Sequence, residues 1–484
     1  MGEILIAALK VATATVASLL VWMVAGKMLA LQLGAAGVGL FGILRQLLQY
    51  LGVVATLNSQ TAMVQGISQR SGDELKRFTN SIFRIQALLG LFVVVLLLLG
   101  APWLGPRLIP HPQATALLRW IALAVLATCA NNFFLGLLNG HRKINSLVLS
   151  QVLGPVTVLL LALPMIWLLR RGYSIGYVLM LICPAAVGAA FAAYSVRKEG
   201  WLPSFLPGAI AKADAVHFFR MSGVLLVSGL LATGTPFLQS HMVAAHLGLQ
   251  QAGFFWVAWT LSMTYVTLLL GSYGTYYMPS LSRLEDLEDR RSLIRDYLRL
   301  SMAAMPILVS IVIVLKPLVI SVMFSDALLP AARVMRWMLI GDFFKGISWV
   351  LAFPMLAFNK MLWFFWTEAL FSITLALASY LWLFAGGSIE GLGAIFLLGY
   401  ILYLLVMCYY IHREHGYRFR REEMLRFFSG LLTVVLLSAF TWNEVNIRWG
   451  SIMAFVLLGS LHLAVMFRGT DARAMVAVLF RARF

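Results

Sequence analysis

Leu33-Gly34-Ala35-Ala36-Gly37-Val38-Gly39-Leu40-Phe41 returns 214 positions further on as Leu247-Gly248-Leu249-Gln250-Gln251-Ala252-Gly253-Phe254-Phe255. Leu33, Gly34, Gly39 and Phe41 match Leu247, Gly248, Gly253 and Phe255, and beyond them Ser68 matches Ser282, each ahead of a charged gap. Each copy lies among long apolar runs. Six such runs separate the copies, an even number, so both copies point the same way across a bilayer. That predicts a parallel repeat, two six-helix lobes related by a pseudo-twofold along the membrane normal.

The apolar runs set the class. The 484 residues are 61% hydrophobic and only 12% charged, about half the charged fraction of a soluble domain. Windows of about 20 residues place fourteen spans at 4–32, 38–66, 83–104, 114–138, 145–169, 174–196, 216–247, 251–280, 297–324, 329–356, 361–385, 389–412, 424–441 and 449–467. The chain therefore reads as an all-α integral membrane protein of about fourteen transmembrane helices. Its expected divisions are an N-lobe over 1–214, a C-lobe over 215–415, and two extra helices with a tail over 416–484. No gap is long enough for a folded extramembrane domain. The first run has no basic region before it and no small-residue cleavage site after it, so it reads as an uncleaved helix. Cys129, Cys183 and Cys408 each sit inside an apolar run, where they read as packing residues.

Cations orient the spans. With the N-terminus inside, twenty-five of the 37 Lys and Arg fall in inner gaps or the tail, four in outer gaps and eight within spans. Such a bias puts both termini in the cytoplasm; Arg170-Arg171 is the local exception. The same distribution excludes nucleic acid as the reason for the net charge of +18, because no separate basic domain exists. The final stretch from Asp471 to Phe484 reads as an amphipathic surface helix.

Charges at membrane depth are costly and point to function. Lys10, Lys27, Arg45, Arg119, Lys316, Arg333, Arg336 and Lys345 outnumber the acids there, chiefly Asp342 and Glu368. A cavity with surplus cations suits an anion. In the second span Arg45, Gln49, Thr56 and Gln60 fall within about 60° of one another, a polar stripe roughly 22 Å long if the helix is continuous; Gln46 is adjacent. The seventh span carries Arg220, then Thr233-Gly234-Thr235-Pro236, Gln239 and His241, which suggests a break or kink, either a hinge for lobe movement or a static proline kink. In the tenth, Asp342 and Lys345 stand one turn apart, either as an intrahelical ion pair or as a site for an anionic head group or coupling ion. Neither metal-ligand spacing, a P-loop nor a nucleophile elbow is present, so neither an enzyme nor a cofactor is expected.

The stretch Gly34 to Leu47, following Gly26-Lys27, resembles the Wzx-type flippases of lipid-linked oligosaccharides, those of O-antigen and enterobacterial common antigen in particular. Tyr277-Met278-Pro279-Ser280-Leu281-Ser282-Arg283-Leu284 and Ile340-Gly341-Asp342-Phe343-Phe344-Lys345 are similar to the same family, over roughly residues 1–412. The resemblance implies the multidrug/oligosaccharidyl-lipid/polysaccharide flippase fold in a bacterial inner membrane. It also implies an undecaprenyl-pyrophosphate-linked sugar unit as substrate, carried from the cytoplasmic to the periplasmic leaflet for surface polysaccharide synthesis. A peptidoglycan lipid II flippase and an ion-coupled multidrug exporter of the same superfamily are the alternatives. The residues expected to meet substrate are Lys27, Arg45, Gln46, Gln49, Gln60, Arg220, Gln239, His241, Asp342 and Lys345. The other partners are membrane lipid and, as an open question, a polysaccharide polymerase or chain-length regulator.

Overall fold

A computed structural model describes residues 2–204, 210–443 and 447–468; the amphipathic helix expected from Asp471 lies outside them. The helices are α1 (Gly2–Thr56), α2 (Gln60–Ser68), α3 (Gly72–Leu108), α4 (Ala114–Gly140), α5 (Ile144–Arg170), α6 (Ile175–Lys198), α7 (Lys212–Leu247), α8 (Leu249–Ser282), α9 (Leu287–Met323), α10 (Ala331–Ala357), α11 (Met361–Phe384), α12 (Ile389–His415), α13 (Arg421–Phe440) and α14 (Trp449–Phe467). A 3-10 turn, Asp326–Leu328, precedes α10. The protein is all-helical, and each expected span from the third onward has its own helix. Among the described residues, eleven helices are long and apolar enough to cross a membrane, or twelve if the bent α7 counts as one.

Helix ends follow local chemistry. Asp286 accepts hydrogen bonds from the Glu288 and Asp289 amides and starts α9, satisfying donors that a helix N-terminus leaves open. The Arg420 amide donates to Glu423 Oε2 over 2.8 Å at the start of α13, and Gly416, at φ 60°, ends α12.

Packing divides the chain into two compact units, Met1–Ala252 and Gly253–Phe484. The sequence repeat and the packing divide the chain at different places. The repeat starts its second copy near residue 215, whereas α7 packs on α1 and α3 and so belongs to the first unit. That unit holds a core of Met63, Ile67, Phe78, Phe133, Leu137 and Phe218. Gly66 is part of its fit, since a Cβ there would stand 2.2 Å from Phe78 Cζ. In the second unit α10 packs along α12 and α9, and α13 and α14 pack on α9.

The repeat has a structural counterpart at four places. Gly34, inside α1, has φ 64° and ψ −166°; Gly248, between α7 and α8, has φ 91° and ψ 164°. Both conformations belong almost exclusively to glycine. The first expected gap is thus a kink within one long helix. Ser68 Oγ donates to the Gln65 carbonyl over 2.9 Å, and Ser282 Oγ to that of Pro279 over 3.0 Å. Lys143, on the turn after α4, pairs with Glu199 at 2.9 Å; Lys360, on the turn after α10, pairs with Glu414 at 2.7 Å. Finally, Arg77 of α3 reaches Asp214 of α7 at 3.5 Å, as Arg295 of α9 reaches Glu423 of α13 at 3.2 Å.

Candidate functional site

In the first unit the continuous polar stripe does not form. α1 stops at Thr56, and Leu57-Asn58-Ser59 make a turn in which Leu57 and Asn58 have φ of 54° and 50°. Gln60 therefore opens a separate helix, and its offset of about 60° from Arg45 on a continuous helix carries no meaning. Thr56 is buried and donates to the Gly52 carbonyl of its own helix over 2.8 Å. The turn is held by a polar cluster that no sequence pattern announces. Asn58 Nδ2 donates to the Leu225 carbonyl of α7 over 2.8 Å, Ser59 Oγ to the Thr56 carbonyl, and Gln86 Nε2 of α3 to Ser59 Oγ over 2.8 Å.

What remains of the stripe centres on Arg45. Its guanidinium lies 4.5 Å above the Trp22 ring, on the earlier half of α1. No carboxylate pairs with it among the described residues. Lys27 is half-buried one turn past Trp22, Gln49 is exposed one turn past Arg45, and Gln46 is buried. Gln46 Oε1 has no hydrogen-bond partner among the described residues. α7 lies against this segment, with Tyr50 stacked on Phe237 at 6.2 Å. Gln239 is buried on α7, while Arg220 near its start and Gln60 are exposed. The half-buried His241 keeps a buried Nδ1 without a hydrogen-bond partner among the described residues.

The Gly/Pro break expected in α7 is absent. The helix runs unbroken through Thr233 to Pro236, and Thr233 Oγ1 donates to the Gly229 carbonyl over 2.7 Å. The bend, 45°, lies upstream between Lys212–Arg220 and Leu225–Leu247.

In the second unit Asp342 and Lys345 are fully buried, with Nζ 3.8 Å from Oδ1. Ser262 Oγ donates to Asp342 Oδ1 over 2.7 Å and the Tyr265 hydroxyl to Oδ2 over 2.6 Å. Lys345 Nζ lies 3.0 Å from Met263 Sδ and 5.5, 6.0 and 5.8 Å from the Trp349, Phe396 and Tyr400 rings. This is an ion pair in an aromatic box, closed to any ligand in this state. In this structure the two side chains form the intrahelical pair. The carboxylate has good donors and the ammonium has ring faces in place of water. Sequence reasoning missed Ser262, Tyr265 and the ring walls. Ser262 and Tyr265 are spaced to share one face of α8, but nothing in the chain announces a partner 80 residues away. Glu368, in α11, accepts from the Tyr403 hydroxyl of α12 over 2.9 Å.

The arrangement sets the Arg45 guanidinium among the amides of Gln46 and Gln49 on a membrane helix. The family described as "Polysaccharide biosynthesis protein" matches residues 7–285, more than half of the sequence. The chain belongs to that family. Among its relatives are the lipid III flippases of Escherichia coli (strain K12) and Shigella flexneri. Each is 24% identical over 406 residues, which is 83% of this chain and 96% of the relative. Among solved structures, the lipid II flippase MurJ in an inward closed conformation superposes with a TM-score of 0.68 at 13% identity, over 94% of this chain and 98% of that one. An inward-facing multidrug resistance MATE family transporter gives 0.67 at 14% identity, over 83% and 94%. These structures share the two-lobed helical fold. This member of the family is a multi-pass membrane protein of polysaccharide biosynthesis, and its similar proteins are flippases and transporters.

Proposed function

We propose that the protein flips an undecaprenyl-pyrophosphate-linked oligosaccharide from the cytoplasmic to the periplasmic leaflet of the bacterial inner membrane, with both termini cytoplasmic. The observation that carries this reading is Arg45, a guanidinium on a membrane helix that rests on Trp22 with no carboxylate pairing it among the described residues. A lone cation at that depth calls for an anion, and a pyrophosphate matches the planar donors of arginine. The similarity to lipid III flippases over nearly their whole length supports a lipid-linked sugar. Lys27 adds charge on the same helix; Gln46, Gln49 and Gln239 supply amides for hydroxyl groups. His241, Arg220 and Gln60 are secondary candidates.

The test is deletion of the gene followed by leaflet-resolved quantification of lipid-linked oligosaccharide. Complementation is with wild type and with Arg45→Ala. Accumulation on the cytoplasmic side, cleared by wild type and not by a normally inserted Arg45→Ala protein, is the expected result. If the intermediate reaches the periplasm in the deletion strain, the protein acts after translocation and the reading is wrong.

A further inference from the structure

At the end of the second unit that cation asymmetry assigns to the outer leaflet, a cavity of about 160 Å3 opens between the end of α9, the start of α10 and the turn after α13. Pro317, Pro330, Arg333, Arg336 and Asn443 contribute to its lining. We propose that this cavity recognises phosphate carried by a lipid headgroup. The proposal rests on the membrane orientation given above only for which leaflet it serves.

Three observations support it. Arg333 and Arg336 are one helical turn apart, so both guanidinium groups serve the same mouth. Two like charges so placed repel, and they stand on the side of the membrane where the chain otherwise carries few cations, so an anion between them offsets a standing cost. Secondly, Arg336 is held in place rather than free in solvent. Its guanidinium lies 5.0 Å from the Trp442 ring, and Trp442 packs edge-on against Trp337 at 5.1 Å. Its Nε is shielded from solvent and has no hydrogen-bond partner among the described residues. A planar donor fixed by stacking and left unsatisfied is arranged for an acceptor that is not protein. Thirdly, Lys316 of α9 is buried just behind, donating to the Thr441 carbonyl over 3.1 Å and to Thr441 Oγ1 over 3.2 Å. That contact fixes the turn carrying Trp442 and Asn443, and adds positive potential.

Among the described residues no carboxylate lies within 4.0 Å of Arg333 or Arg336; Glu390, at the start of α12, is the acid whose charge reaches Arg336. Among the described residues, the one acid that reaches Arg336 stands against Arg333, Arg336 and Lys316, so this part of the lining is net positive. The volume suits one phosphate group with some water, a water occupying roughly 30 Å3 in the liquid.

The full-length protein in phosphatidylcholine nanodiscs is titrated with inorganic pyrophosphate by calorimetry. In parallel, nanodiscs containing phosphatidylglycerol are examined by native mass spectrometry for retained lipid. Wild type is compared with Arg333→Gln and Arg336→Gln. The Arg333 side chain is exposed, so Arg333→Gln keeps the test valid if Arg336→Gln misfolds. Binding of either probe that weakens about tenfold or more in the variants is expected, as for loss of a charge-assisted hydrogen bond. Soluble pyrophosphate binding assigns the site to a translocated diphosphate; retention of phosphatidylglycerol alone assigns it to an anionic phospholipid. Wild type that binds neither probe, or variants that bind as tightly as wild type, overturns the proposal. Either result is independent of whether Arg45→Ala exports.

Discussion

Replacing Asp342 by asparagine leaves the Lys345 ammonium in a ring-lined box with no counter-charge. At 3.8 Å and an effective dielectric of about 20, the lost attraction is about 4 kcal/mol. Removal of one partner from a buried pair typically costs about 3–5 kcal/mol. Lys345→Met is gentler, because Asp342 retains the Ser262 and Tyr265 hydroxyl donors and its carboxyl can take up a proton; we expect about 1–3 kcal/mol. The two changes share one interaction, so the double variant Asp342→Asn/Lys345→Met should be less destabilised than the sum of the singles by about 2 kcal/mol or more. Equilibrium unfolding of the four purified proteins in mixed detergent, titrated with dodecyl sulfate, reads all three differences. Additive singles, or a Lys345→Met protein less stable than Asp342→Asn, would show that the pair is not the unit described here.

Three further outcomes follow from the geometry. Gly34→Ala and Gly248→Ala should each cost about 1–3 kcal/mol in the same unfolding assay. Because a Cβ at either site meets nothing within 4 Å, the loss is one of backbone strain, so the two variants should lose similar amounts; a much larger loss at one would show that packing rules there. Lys143→Ala and Lys360→Ala break equivalent, half-exposed pairs and should lose at most about 1 kcal/mol apiece, and unequal large losses would refute the equivalence. His141 stacks on Trp201 with ring centres 3.8 Å apart, and desolvation holds its imidazole below its usual value, with Glu199 pulling the other way and Lys143 adding to the depression. The unfolded chain thus binds the proton more readily. Stability is full above pH of about 6.5 and falls as the medium is acidified through the folded value. His141→Phe should flatten that dependence in a melting series across pH.

The span pattern was readable because the helices α3 to α14 are dominated by apolar residues, even where a few charges stand inside them, and are bounded by charges or by turn residues. The Gly34/Gly248 correspondence was readable because only glycine serves at that backbone conformation, which makes the residue type diagnostic. The break after Thr56 was not readable: leucine and asparagine in the left-handed region are paid for by the Asn58 and Gln86 contacts, made to α7 and α3. Pro236 misled in the opposite sense, because a membrane helix tolerates proline where neighbours pack against it. For the candidate residues, the excess of cations over acids at depth was visible. What distinguishes Arg45 from Lys345 was not, since one stands on a single indole and the other is enclosed by a carboxylate and three rings drawn from two helices.

α13 and α14 have a consequence for how a duplicated membrane fold terminates. The N-terminal end of α3 is covered by the helix that follows its own six, through Arg77 and Asp214. A second copy in tandem has the same uncovered place on α9, and α13 fills it through Glu423. α14 then completes the cover, with His462 Nε2 3.0 Å from the Met302 carbonyl of α9 and its Nδ1 2.9 Å from Ser429 Oγ of α13. The pair acts as a capping repeat does in a solenoid, closing a surface that each unit would otherwise offer to the next. A protein cut after α12 would therefore not be a minimal transporter but an open-ended one, with the buried Lys316 and the α9 groove presented to lipid.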